Sequence, residues 1–226
     1  MGIRFYLNSI PISNSINGIY IWTGNDDTDL AKNTISNNTC GINITQSSNI
    51  VIEDNTILYN DNGIELNYSS PIIRYNNISH NNYDGIRNIN YSSAIIGNNT
   101  LTYNNRTGVV YEYNSIGILD NNTISYNYGG INCSSTSSPV ITFNNVTFNS
   151  YNIYCLDSAD TEIHWNNIHN RTDYSLANLN TSGLTDWLDA THNYWGSSRG
   201  PQPGDIIGPV IYRPFEIRPI EVAGPG

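Results

Sequence analysis

Asp61, Glu65, Asp84, Arg87, Arg106 and Glu112 form the densest charged patch of a chain in which only 12% of 226 residues are charged. Two carboxylates in one patch can share acid and base work, one giving a proton to a leaving oxygen and the other taking one. An arginine beside them can hold an acidic sugar through paired hydrogen bonds. A sugar-directed reaction would rest on Asp84, Arg87, Arg106 and Glu112. A plainer role competes with it. Glu65 and Arg87 each lie two residues after a glycine, at Gly63 and Gly85, and so would face each other as an exposed cross-strand pair worth about 0 to 1 kcal/mol. The plain reading is preferred, and no catalytic set is assigned.

Other residues offer weaker chemistry. The run Asn25-Asp26-Asp27-Thr28-Asp29 brings side-chain oxygens together, and Asn25, Asp27 and Asp29 could gather calcium; the run falls far short of a full EF-hand loop, so a solvated acidic turn is expected. His164, His169 and His192 are not spaced on one strand face as metal ligands need. No cofactor is therefore expected, calcium being the one ion considered. Trp22, Tyr68, Tyr91 and Tyr113 follow strand-like segments and face outward, where rings either bind the apolar sides of sugars or shield a turn.

Composition excludes several classes. The net charge is -10, with nine Lys plus Arg against nineteen Asp plus Glu, so a basic face for nucleic acid is missing. No apolar run approaches the roughly 18 to 20 residues of a membrane span. The first residues lack the regions of a secretory signal, which predicts a mature or excised piece, or a cytosolic chain. Asn occurs 38 times and Ser plus Thr 41 times, so about seven glycosylation sequons would arise from composition alone. Twelve are present, at Asn37, Asn43, Asn67, Asn77, Asn90, Asn98, Asn105, Asn121, Asn132, Asn145, Asn170 and Asn180, which supports an extracellular surface.

What must position these groups is a repeat. Glycines at 18, 41, 63, 85, 108 and 130 recur every 22 or 23 residues, each followed by Ile or Val, and this column is read as a turn of positive φ. A second column pairs Asn with an apolar residue two positions on: Asn8/Ile10, Asn33/Ile35, Asn55/Ile57, Asn76/Ile78, Asn99/Leu101, Asn122/Ile124, Asn144/Val146 and Asn166/Ile168. Three residues before each Asn stands an apolar residue, from Phe5 and Leu30 to Ile163. Short alternating segments such as Gly63-Ile64-Glu65-Leu66 read as half-buried strands. The fold expected is an all-β, right-handed parallel β-helix of about eight coils, three strands per coil, spanning 1–195, with a Gly/Pro-rich cap or linker at 196–226. The Asn column is expected to form a hydrogen-bonded ladder. Tyr59, His80, Tyr103, Tyr126 and Phe148 are expected to stack inside, with His80 a hydrogen-bonded core residue. Cys133 and Cys155 are expected as buried, stacked, unbonded thiols. The three Cys, which include Cys40, give no disulfide framework.

These Asn-x-Ile and Gly-Ile columns resemble the parallel β-helix repeat family, which includes pectin-degrading enzymes, sugar epimerases, copper-enzyme maturation proteins and microbial surface proteins. The tail Asp189-Ala190-Thr191-His192-Asn193-Tyr194-Trp195-Gly196, with Gly200-Pro201 and Gly204-Asp205, is similar to the closing segment of the surface-protein branch, in which Asn193 and Trp195 re-enter the columns and Val210-Ile211-Tyr212 caps the end. Nearly Lys-free, Asn/Tyr-rich versions resemble adhesin-like or envelope proteins of methanogenic archaea. The resemblance implies a noncatalytic, glycosylated structural or adhesive module of a cell surface. A polysaccharide-active enzyme and a glycan-binding module are the alternatives, with surface polysaccharide as ligand. Ile3 and Phe5 hold inward positions from the start, so end-to-end pairing with other copies of the chain is a further expectation.

Overall fold

The computed structural model describes residues 5–24, 27–157, 161–180 and 187–222. Their strands form three parallel sheets that wind as a right-handed β-helix of about nine turns. The first sheet has eight strands, from Phe5–Asn8 to Glu162–His164; the second has eight, from Pro11–Ser13 to Asn167–His169. The third has nine, from Asn17–Gly24 to Ile206–Ile207. Each strand pairs in register with its equivalent one coil away, so Ile35, Ile57, Ile78, Leu101, Ile124, Val146 and Ile168 lie directly above one another in the core.

Two buried asparagine ladders hold the corners. In the first, Asn33, Asn55, Asn76, Asn99, Asn122, Asn144, Asn166 and Asn193 each pass an Nδ2 hydrogen to the next Oδ1 at 2.9 to 3.1 Å. The same Oδ1 accepts the preceding Asn backbone N–H, as from Asn76 to Asn99 at 2.9 Å, so each amide is saturated in a site buried from solvent. The expected ladder is present, and Asn193 joins it. A second ladder runs through Asn38, Asn60, Asn81, Asn104, Asn127 and Asn149 and ends on Asn152. It lies five residues after the first in every coil, a spacing visible in the sequence but not used there.

Four expectations are corrected. The column glycines have no positive φ; a Cβ on Gly63 would stand 2.4 Å from the Gly85 carbonyl oxygen, so it is close approach between coils that demands glycine. Positive φ falls instead on the residue before each ladder asparagine, such as Tyr75, Asn98, Tyr103 and Tyr126. Tyr59, His80, Tyr103, Tyr126 and Phe148 occupy that position in the second ladder and therefore point outward, stacked from His80 to Phe148 with centroids 5.1 Å apart and with Tyr59 tilted against His80 at 5.5 Å; Tyr103 is 49% exposed and His80 is not a core residue. In the first coil Leu7 pairs with Leu30 and Ile12 with Ile35, and the Ile10 N–H bonds Asn33 Oδ1; Ile10 thus takes the ladder position assigned to Asn8. That coil is therefore 23 residues long, although Asn8 and Asn33 stand 25 apart in the sequence.

Cys133 and Cys155 are register partners, fully buried and not joined by a disulfide, as expected. Ile206–Ile207 pairs with Leu176 and Ala177, and Val210–Ile211 with Leu188–Asp189, so the segment after Trp195 lies on the last turn, with Tyr212 and Phe215 packed against the core.

Candidate functional site

The outer face of the third sheet gathers the charged patch. Strand alternation that buries Ile86 and Asn88 turns Arg87 outward, one coil from Glu65. Arg87 Nη1 lies 3.2 Å from Glu65 Oε2, Nη2 lies 3.2 Å from Glu112 Oε2, and Nε lies 3.6 Å from Asp84 Oδ2. The pair expected from spacing is thus the core of a four-member network, half-buried rather than exposed. Burial works against the Arg87 charge, but Glu65, Glu112 and Asp84 outweigh it and raise its pKa. With three carboxylates around it, Arg87 is committed to the protein.

Asp84 differs. It is 3% exposed, and its Oδ1 accepts the Thr107 N–H at 3.1 Å. Burial raises its pKa, against the opposing pull of Arg106, the Thr107 N–H and Arg87. Beyond Thr107 the same column continues through Gly129 and Tyr151 to Tyr174. The missing Cβ of Gly129 admits the Tyr151 ring, whose Cζ and Oη would stand 2.4 Å from that atom. Tyr151 thereby lies over the column toward Asp84, its phenol pushed up by burial, which outweighs a hydrogen bond with Thr107. Tyr174 stacks on it at 5.5 Å, Tyr128 meets it edge-on at 5.5 Å, and Tyr154 is 5.8 Å away. Asp84 and the exposed Arg106 therefore border a cluster of four tyrosines. This cluster was not found in the sequence, because its assembly depends on one glycine making room for a ring in the next coil.

The remaining sequence candidates are scattered. Trp22, Tyr68, Tyr91 and Tyr113 are outward and more than half exposed, but Tyr68 and Tyr91 stack on each other at 6.0 Å, which covers one face of each ring. Asn25 lies outside the described residues, Asp27 is exposed, and Asp29 sits in a strand of the first sheet. Among the described residues no group of three His, Cys, Asp or Glu is arranged to hold a metal. None of the twelve sequon asparagines is buried; Asn37, Asn77, Asn105 and Asn170 are the most open, while the Asn90 amide bonds Asn67 Oδ1 at 2.9 Å. No described helix is long and apolar enough to cross a membrane.

Fold and stacked columns define a parallel β-helix. The model of the right-handed β-helix region matches residues 4–87 and 40–186, and the chain belongs to that family. A periplasmic alginate epimerase is similar in structure, with a TM-score of 0.68 and 16% identity, over 96% of this chain and 61% of that one. A pectate lyase is similar with a TM-score of 0.57 and 11% identity, over 89% of this chain and 55% of that one. This chain therefore spans a little over half the length of either, and at such identities the likeness is one of fold. No curated protein matches.

Proposed function

We propose that this β-helix engages a polysaccharide along the outer face of its third sheet, at Asp84, Arg106 and the Tyr128/Tyr151/Tyr154/Tyr174 cluster, in an extracellular or envelope setting. The observation that carries this reading is Asp84, a buried carboxyl with a raised pKa beside an exposed arginine and a bank of rings. Burial that raises a carboxyl's pKa favours the proton-bearing form that a general acid uses, the rings offer apolar faces to sugars, and Arg106 suits an acidic sugar. The two structural relatives, named as acting on alginate and as a lyase of pectate, support a polysaccharide as ligand. The part-exposed sequons support the extracellular setting, which glycan mass spectrometry of the native protein tests.

A second reading, a noncatalytic structural or adhesive module, is favoured by Arg87, whose donors are taken up by three carboxylates in a network that braces coils. One experiment separates the two. The protein is presented with pectate, alginate and a glycan array while reducing ends, unsaturated products and C5 configuration are followed. Binding that falls at least tenfold in Arg106→Ala, with turnover lost in Asp84→Asn, supports the enzyme; binding without turnover supports the module. Binding indifferent to both substitutions removes the Asp84 face from consideration.

A further inference from the structure

Where regular coils give way to the tail, a cavity of about 310 Å³ opens between the segment after Asn167–His169 and the turn 196–205. Its size is at the lower end for small-molecule sites, about 300 to 1,000 Å³. Backbone geometry shapes it. Gly196, Gly200 and Gly204 have φ of 79°, 82° and 85°, and a Cβ on Gly196 would stand 2.7 Å from that of His169. One wall carries an ion pair, Arg171 Nη2 to Asp205 Oδ1 at 2.7 Å. Both oxygens of that carboxylate are engaged, since Oδ1 also accepts the Ser175 hydroxyl at 3.2 Å and Oδ2 accepts the Gln202 N–H.

Two donors of the lining residues are not used. Arg171 Nε–H and the indole N–H of Trp195 are buried with no acceptor among the described residues, and Trp195 is only 2% exposed. Each such donor costs about 1 to 3 kcal/mol when it stays unpaired, so two at one cavity point to a missing acceptor. Charge narrows its chemistry. Arg171 and Asp205 cancel, and burial holds His169 below the ordinary imidazole range and hence neutral near pH 7. A desolvated anion here would have no countercharge left to meet it, whereas a hydroxyl oxygen needs none. The His169 ring, beside the Ser197 hydroxyl and the Asn170 and Gln202 amides, gives the mix of ring and polar groups that a sugar ring requires.

We propose that this cavity binds one neutral sugar residue, whose hydroxyl oxygens accept hydrogen bonds from Trp195 Nε1 and Arg171 Nε. The site does not rest on the Asp84 reading.

Saturation-transfer NMR and calorimetry on the full chain, with methyl glycosides of neutral hexoses beside methyl uronates, test it. At least one neutral glycoside should bind, and Trp195→Phe, which keeps the ring but removes the N–H, should weaken it at least tenfold. Because Trp195 also packs in the core, Ser197→Trp, which blocks the cavity without touching either donor, is the second variant and should abolish binding. Arg106→Ala should bind as the wild type does, whatever happens to polysaccharide binding at Asp84. The proposal is overturned if no neutral glycoside binds, if only uronates bind, or if binding survives both Trp195→Phe and Ser197→Trp.

Discussion

Two ladders run side by side along the corner between the second and third sheets, one residue apart in every coil. Asn60, Asn81, Asn104, Asn127 and Asn149 form the inner one, buried and bonded through side chain and backbone. Tyr59, His80, Tyr103, Tyr126 and Phe148 form the outer one, held by ring stacking in water. Both have the same period, yet only the inner one satisfies groups that have no other partner. An amide at each step can donate and accept along the stack and to the main chain, which a ring cannot do. The inner ladder therefore determines whether coils can stack, while the outer one adds contacts to coils already stacked.

The sharpest test breaks the inner ladder at its middle. Asn104→Leu would strip the acceptor from both the N–H and Nδ2 of Asn81, and from Ile78 O its donor. A loss of about 3 to 5 kcal/mol is expected in urea unfolding; a loss below about 1 kcal/mol would mean that the ladder is ornamental. A smaller effect is expected at the close approach beside it. Gly108→Ala would set a Cβ 2.6 Å from Ile124 Cγ2 and 2.8 Å from the Gly130 oxygen, costing about 1 to 3 kcal/mol by overpacking.

The outer ladder should respond less. Tyr103→Gly gives up stacking on His80 and Tyr126, both at 5.1 Å, but relieves a tyrosine held at φ of 57°, and a net change within about 1 kcal/mol is expected. A cost equal to that of Asn104→Leu would erase the distinction between the ladders.

The smallest expected effect is one of pH on the third sheet. Burial raises the Asp84 pKa above its ordinary 3.8, so the stability it contributes is complete below that value and is lost as pH rises through the folded pKa. Asp84→Asn should flatten that decline and leave the protein at least as stable at pH 7. Thermal midpoints across pH 3 to 8, about the range over which a raised carboxyl titrates, are the measurement; a steeper decline in the variant would show that ionised Asp84 supports the fold.

The sequence announced the coils because in-register stacking puts like residues on like residues, so glycine and asparagine recur at the coil length. It misled where a bend intervenes. The inward phase assigned to the aromatic column came from counting alternation past Ile57, Ile78 and Leu101, but the residue with positive φ between strand and asparagine turns the chain and reverses the parity. Asn8 misled differently, for the first coil places Ile10 at the ladder position and leaves Asn8 exposed. The Glu65–Arg87 pair was legible from register alone. The tyrosine cluster and the unpaired Trp195 and Arg171 donors were not, since each depends on side chains from different coils sharing a space that only the folded chain defines.

The column from Asp84 to Tyr174 also acts as a ruler. Asp84, Thr107, Gly129, Tyr151 and Tyr174 stand in successive coils, and Ser175 bonds the Asp205 main chain at the cavity. Four steps at about 4.8 Å put some 19 Å between the acidic face and the start of the tail site. Gain or loss of a whole coil keeps every ladder in register, while any fractional change breaks all of them at once. The spacing between the two surfaces is therefore quantised, and descendants of this chain can retune it only in increments of one coil.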